Sequence, residues 1–414
     1  MIPYKDALSL ILKNAERTSK CRLVVDFAAE DSVGLVCAED IVSSENFPFF
    51  CHSAMDGYAL KSEWTKEASP QNPKIFKVSG VIAAGDFGYA PTDQVGCVEI
   101  MTGAMLPEVY DSVVRLEDVH ISDGMIELTR SVRLYENVRR VGEDFKIGDS
   151  IVNKGVMLEP EHLMAFSALG IERVNVHQKP RVAILSTGKE LSVGRKPELG
   201  QIRNSTAPFL ISALKKLGIS VEYHGIVQDD PAEFMRKVRT VLSDKPDVLI
   251  TTGAVSMGRH DFIAASVRDL GGDMYFHKVA IRPGKPILFA GISSTAWFGL
   301  PGNPISTLVG MRFFVLPYLN ALLGQVPEQP FHALLSASVK KPRDFRCFYK
   351  ANIALNSQNQ IVVKVHPQQA SFMIRPLLEM NAWAILPEGS DDLDAGAFVE
   401  VLPFYPARFL GDFL

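Results

Sequence analysis

Four short loops between Leu185 and Pro304 carry the residue types best suited to chemistry. They are Ser186-Thr-Gly-Lys-Glu-Leu191, Thr251-Thr-Gly-Ala-Val-Ser-Met-Gly258, Arg282-Pro-Gly-Lys-Pro286 and Leu300-Pro-Gly-Asn-Pro304. Each follows an apolar run that reads as a strand. An open parallel sheet binds ligands in the crevice beyond the carboxyl ends of its strands. Small residues there let the backbone approach an anion, and helix N-termini aim N–H groups at it. Lys285 and Arg282 add fixed positive charge. The expected ligand is an anion, and the expected role is chemistry on it.

The loops differ in what they say singly. Thr251 to Gly258 alone fits a tight strand-to-helix connection as well as an anion cradle, and the following Arg259-His-Asp-Phe262 favours function. Asp261 can cap the next helix, hold a metal ion or accept a proton. Two prolines and two cations in Arg282-Pro-Gly-Lys-Pro286 exceed what a surface turn needs. Leu300-Pro-Gly-Asn-Pro304 opens a helix and suits an anion-facing turn. Glu190 and Asp229 would each be solvated in isolation. Gathered with Asp261 near phosphates, they make sense with Mg²⁺ or in proton transfer. Outside this region, Ser53-Ala-Met-Asp-Gly-Tyr-Ala59 holds Asp56 in a pattern that a β-turn only partly explains, and Thr102-Gly103 is a tight loop with a hydroxyl.

The elements around these loops follow from periodicity. Ala7, Leu8, Ile11, Leu12 and Ala15 recur at helical spacing, and Glu159-Pro160 starts a second helix that Gly170 would cap. Between them, residues 49–138 show short alternating runs broken by Gly, Pro and Asp, which reads as an inserted β-rich module on an elongated helical support of residues 1–48 and 139–178. From Pro180 strand, loop and helix alternate. Strands are expected at 182–185, 221–227, 248–250, 287–290 and 296–299, with helices at 208–217, after Asp229-Asp-Pro231, and from Pro304 with Asn303 as cap. Residues 179–328 are therefore expected as a doubly wound α/β domain. Beyond Gln329 the period returns to two, predicting a terminal β-barrel or sandwich over 329–414.

Composition bounds the rest. A chain of 414 residues, 47% hydrophobic, is large enough for several domains. A formal charge of -4 gives no reason to expect nucleic acid or an anionic membrane as partner. No apolar run reads as long enough to span a bilayer, and the N-terminus does not read as a signal peptide. Cys21, Cys37, Cys51, Cys97 and Cys347 lack metal-type pairing and read as small core thiols in a reducing cytosol.

Ser53-Ala-Met-Asp-Gly-Tyr-Ala59, Gly142-Glu-Asp144, Ser186-Thr-Gly188 with Glu190-Leu191, the Thr252 to Gly258 loop with Asp261, Pro283-Gly-Lys-Pro286 and Leu300-Pro-Gly-Asn-Pro304 occur in this order. Together they resemble the molybdopterin molybdenumtransferase family (MoeA and the gephyrin E domain), over essentially the whole chain. The resemblance implies an elongated, four-domain homodimer. Its α/β domain would be of the molybdopterin-binding, MogA-like type, with a β module inserted in the helical linker domain and a C-terminal β-barrel. It implies an enzyme that takes adenylated molybdopterin, releases AMP and places molybdate on the dithiolene sulfurs.

On that resemblance Thr252, Gly253, Ser256, Gly258 and Pro301-Gly302-Asn303 would hold the cofactor with Lys285. Lys278 and Arg282 would attract molybdate, and Asp229, Asp261 and Glu190 would position Mg²⁺. Asp56 and Thr102 would enter the cleft from the partner subunit. Ser371, in Gln368-Gln-Ala-Ser371, would come from the terminal domain with a cation from Arg343-Asp-Phe-Arg-Cys-Phe-Tyr-Lys350, where Arg346 is taken over the alternatives Arg343 and Lys350. A molybdopterin adenylyltransferase would act upstream, and molybdoenzymes or their chaperones would accept the product. Departures from the family pattern are Ala254 for a glycine, Arg282 for a lysine, Lys189 for an aspartate and Cys51-His52 for Asp-Asn. They leave room for altered metal preference, such as tungstate. An adenylyltransferase-like enzyme and a gephyrin-like scaffold remain the alternatives.

Overall fold

In a computed structural model, residues 1–19, 22–86, 95–192, 196–255 and 262–405 are described. The α/β domain has six strands: β1 (Arg181–Thr187), β2 (Ser220–Val227), β3 (Val248–Thr252), β4 (Asp273–His277), β5 (Leu288–Ile292) and β6 (Thr295–Leu300), in the order β2-β1-β3-β6-β5-β4. β1 and β3 are buried almost throughout, as strands covered on both faces must be. β2, β1, β3 and β6 run parallel, whereas β5 is antiparallel to β6 and to β4. The antiparallel edge was not legible in the strand spacing. It arises because β5 and β6 form a hairpin whose two-residue turn places Ser293 at φ 53°.

Helices cover both faces. α1 (Tyr4–Ser19) lies on one face, buried along Ala7, Ile11 and Ala15 against the sheet and the other helices of that side. It therefore belongs to this domain rather than to the elongated support. α2 (Pro160–Ala168) is the helix of that support, with a capping box from Glu159 and His162 and Gly170 at φ 66° just past its end. The remainder of the support is strand: Val24–Ala28 pairs with Arg173–His177, which also pairs with Val36–Cys37. Antiparallel pairing among these segments makes this part of the support extended chain where a helix was expected.

Returning to the α/β domain, α3 (Thr206–Lys216) shares the face of α1, while α4 (Pro231–Ser243) and α5 (Ile263–Asp269) cover the opposite face through Phe234, Val238 and Val267. Asp230 caps α4 by accepting from Ala232 and Glu233 N–H groups. α6 (Pro304–Leu322) is a 19-residue core helix with a π-turn at Met311–Val315. Its length and the mean hydropathy of 1.4 over its best 18-residue stretch match a bilayer span, contrary to expectation, yet 83% of that stretch is buried inside the fold. A helix apolar all round is what a two-sided core position selects.

The inserted module is a six-stranded sheet, and its entry strand His52–Ser53 pairs with Val138–Arg139 at its exit. The terminal domain is a closed barrel. β7 (Phe331–Leu335), β8 (Arg346–Leu355), β9 (Ile361–Val365), β10 (Ala382–Leu386) and β11 (Phe398–Pro403) run in the order β8-β9-β7-β11-β10, and β10 pairs back onto β8. The short strand Ile281–Arg282 joins β8 in parallel, tying the barrel to the α/β domain. Cys37, Cys97 and Cys347 are buried and unpaired, Cys51 is half-buried and unpaired, and Cys21 lies outside the described residues.

Lys350 in β8 is wholly buried, and burial pulls its ammonium down from 10.5 to about 8. Between those values the unfolded chain holds a proton that the folded chain has released, so stability rises with pH across the window. Denaturant unfolding at about pH 7.5, 9 and 10.5 should show that rise in the wild type and a flatter profile in Lys350→Met.

Candidate functional site

Register brings the strand ends into one row. Thr187 lies opposite Val227, Ser186 opposite Thr252, Thr252 opposite Leu300, Gly299 opposite Leu288, and Leu288 opposite His277. Asp229, Glu190, Gly253, Pro301, Lys285 and Lys278 all sit within a few residues of that row. The chain leaves β1 toward β2 on one side and returns through α4 to β3 on the other. The gap between β1 and β3 is thus a topological switch point.

Backbones meet there closely. Gly253, at φ 87°, donates its N–H to Leu300 O at 3.0 Å. A Cβ on it would lie 2.4 Å from Thr187 O, and one on Gly302 would lie 3.6 Å from the Gly253 Cα. Gly253 has no room for a side chain without movement, whereas Gly302 sits at ordinary contact distance beside it. Ala254 also takes a left-handed conformation, φ 49°, where a methyl is strained. Gly188 N–H donates to Val227 O at 3.2 Å, and the Glu190 carboxylate folds back over it, where a Cβ would approach it to 2.6 Å. Glu190 and Asp229 therefore flank neighbouring strand ends, one exposed and one half-buried.

Hydroxyls line the floor. Thr252 Oγ1 donates to Ser186 Oγ at 3.2 Å, and Thr187 Oγ1 donates to Thr252 O at 3.1 Å. Asn204, unnoticed in the sequence reading, donates to Ser186 Oγ (2.9 Å) and Tyr223 OH (3.1 Å). Its own Oδ1 accepts from Thr206 Oγ1 and the Ala207 N–H at the start of α3. The signal available was an Asn three residues before a helical amide, a capping pattern.

The cations occupy the far end of the row. Lys278, at φ 78°, receives the Ile2 N–H on its carbonyl at 3.1 Å and donates to Ile287 O at 2.9 Å. Lys285 is exposed with its ammonium 5.7 Å from the Phe345 ring centre, and Arg282 is exposed on the short strand beside β8. Asn303 starts α6, but its side chain makes no capping bond and is exposed, so the expected cap is corrected. Thr307 Oγ1 instead donates to the Asn303 carbonyl at 3.2 Å. From the barrel, Ser371 O accepts the Ile305 N–H at 3.0 Å, which sets this loop on the first turn of α6 beside Pro301-Gly302-Asn303.

Arg346 differs from its expected role. Its guanidinium is buried, paired with Glu388 at 3.3 Å and with Glu400, and lies 5.4 Å over the Tyr4 ring. It holds the barrel seam instead of facing the crevice. Asp56 Oδ1 accepts from Thr102 N (2.7 Å) and Thr102 Oγ1 (2.9 Å), and these bonds hold its carboxyl below the usual carboxylate range. The Thr102 hydroxyl is thus engaged rather than free. Among the described residues no hydrogen bond or ion pair links residues 49–138 to the α/β domain. Ser256, Gly258 and Asp261 lie outside the described residues, among which no three metal-binding side chains cluster.

Family models match in chain order. "MoeA N-terminal region (domain I and II)" covers residues 2–170, "Probable molybdopterin binding domain" 183–321 and "MoeA C-terminal region (domain IV)" 332–404. The molybdopterin molybdenumtransferase of Synechococcus elongatus is 40% identical over 370 residues, 88% of this chain and 90% of its own length. The chain belongs to the molybdopterin molybdenumtransferase (MoeA) family. The Bacillus subtilis member is 34% identical, covering 91% of this chain and 88% of its own. A molybdopterin biosynthesis MoeA protein of Pyrococcus horikoshii aligns in structure with TM-score 0.80 and 28% identity, over 98% of this chain and 99% of its own. The central family model, the probable molybdopterin binding domain, spans the whole row of strand ends described above.

Adjacent positions in the cradle should respond with opposite signs. Gly253→Ala forces the Thr187 contact open and should cost about 2–3 kcal/mol. Ala254→Gly relieves a left-handed alanine and should gain about 0.5–1 kcal/mol after the entropy of the unfolded glycine. Urea unfolding of both variants checks the pair.

Proposed function

We propose that this chain inserts molybdate into adenylated molybdopterin and releases AMP. The observation that carries the reading is the meeting of the Gly253 and Gly302 backbones beside the α6 N-terminus, with three cations along the same row. Two unit charges 4 Å apart repel by about 4 kcal/mol at an effective dielectric of ~20. A dianion brought next to a phosphorylated cofactor therefore needs fixed positive charge, which Lys278, Arg282 and Lys285 supply. Thr252, Gly253 and Pro301-Gly302-Asn303 would take the pterin phosphate on backbone N–H groups, with Ser256 and Gly258 from the same loop. Ser371 would close the oxyanion side.

Mg²⁺ fits the donor set as an ion shared with the substrate, since it commonly takes one or two carboxylates plus phosphate oxygens. Asp229 and Glu190, with Asp261, would hold it and let it neutralise charge at the pyrophosphate. Asp56, made acidic and oriented by Thr102, would enter the cleft of a partner subunit in a homodimer. Exposed Phe49, Phe50, Met55 and Met105 in the same module support an interface there. In this reading the enzyme is cytoplasmic, receives its pterin from an adenylyltransferase, and passes its product to molybdoenzymes or their chaperones. Whether tungstate substitutes is read from the same assay.

Purified protein with Mg²⁺ and adenylated molybdopterin should release AMP in a molybdate-dependent way. Asp229→Asn should lower that rate by about 10²-fold or more. Tight pterin binding with no release at any oxyanion concentration overturns the proposal. Mixing inactive Asp56→Asn and Asp229→Asn proteins should restore about a quarter of the wild-type sites, because each mixed dimer holds one intact cleft. No recovery after verified subunit exchange places Asp56 and Asp229 outside a shared intersubunit site.

A further inference from the structure

Lys350 is a charged residue where stability does not call for one. Along β8, Cys347, Tyr349 and Ala351 line the barrel core, whereas Phe348 packs with the α/β cluster. Side chains alternate along a strand, so Lys350 faces the seam with Phe348. It is wholly buried, and both side-chain hydrogen bonds it makes among the described residues go to carbonyls: Ala370 O and Met373 O, each at 3.3 Å. No carboxylate enters the causes that lower its ammonium, which are desolvation alone. A methionine of similar volume would fill that space without a desolvated charge.

The two carbonyls bracket Ser371. The backbone of Lys350 grips the same loop, because its N–H donates to Gln369 Oε1 at 3.0 Å and its carbonyl accepts from Gln369 Nε2 at 2.9 Å and from the His366 N–H at 2.8 Å. Gln369 Nε2 also reaches His366 O at 2.6 Å. At the far side of the loop, Ser371 O receives the Ile305 N–H on the first turn of α6. The loop is thus strung between one buried lysine and one helix start, with Phe372 and Ile374 left exposed.

We propose that Lys350 is a positioning residue that sets the Ser371 loop of the barrel onto the first turn of α6, and so completes the oxyanion side of the crevice. Its ammonium curls residues 370–373 around itself and presents Ser371 to the crevice. This deepens the proposed function and rests on it for the kinetic part of the test only.

The test uses the full chain with Lys350→Met, which removes the donors, and Lys350→Gln, whose amide keeps two. Hydrogen exchange read by mass spectrometry should show the amides of Ile305 and Met373 exchanging about tenfold faster in Lys350→Met, with part of the protection restored in Lys350→Gln. In AMP release, Lys350→Met should raise KM for molybdate about tenfold while kcat changes less than about threefold. The Lys350→Met/Ser371→Ala double variant should be no worse than Ser371→Ala alone, since both act through one loop. Unchanged exchange at Ile305 and Met373 in Lys350→Met, or fully additive losses in the double variant, overturns the proposal. Faster exchange in a protein whose wild type releases no AMP upholds the anchoring and overturns the insertase reading instead.

Discussion

The contact on which the rest of the site depends is the approach of the Gly253 backbone to the carbonyl of Thr187. Three parallel strand ends converge there, and the hydrogen bond from Gly253 to Leu300 holds the loop inward. With that separation set, Gly302 can come alongside, the first turn of α6 points at the same space, and the hydroxyls of Ser186, Thr187 and Thr252 bond to one another or to the strand ends. A side chain at Gly253 would push the loops apart and enlarge the space that an anion has to fill. Small residues here are a geometric requirement of the crevice, and the left-handed Ala254 shows how far the loop is bent to satisfy it.

The second constraint is the seam between this domain and the barrel. Ile2 zips onto Lys278 and Ala280, Ile281–Arg282 extends β8, and Phe348 stacks on Phe313 with ring centres 3.9 Å apart. Tyr4 packs against Phe314, and the Arg346 guanidinium sits over it with Glu388 and Glu400 as partners. Both ion pairs lie within the barrel and fix Arg346, which reaches the α/β domain through the Tyr4 ring and by donating its backbone N–H to Ala280 O. The cation-bearing segment 278–286 runs along this seam. Its charges are therefore placed by the packing of the barrel as much as by the α/β sheet.

The inserted module obeys a different logic. Its strands pair among themselves, and its acid is oriented locally by Thr102. The Asp56 carboxylate is held by two donors of Thr102, in a module that also leaves Phe49, Phe50, Met55 and Met105 exposed. Membership of the MoeA family accounts for the order of the domains.

Features set by local backbone demands were legible in the sequence. Strand ends followed by Thr-Gly or Pro-Gly, the Asp230-Pro231 and Glu159-Pro160 helix starts, and the period-two runs of the terminal domain each reflect a conformation that neighbouring residues alone impose. So the four loops, the doubly wound core, the β-rich insertion and the β-rich terminal domain could be read before any contact was known. What needed the tertiary structure were choices made between distant segments. α1 joined the α/β domain because its Ala7–Ile11–Ala15 stripe met α6, and β5 turned antiparallel because a hairpin closed. Arg346 was drawn into the seam by Glu388 and Glu400, while Ser371 was brought to the α6 N-terminus. Asn204 met both Ser186 and Tyr223, side chains on neighbouring strands. An arginine, a serine or an asparagine carries no mark in sequence of which distant partner will satisfy it. Burial and hydrogen-bond completion decide that only when the chain closes on itself.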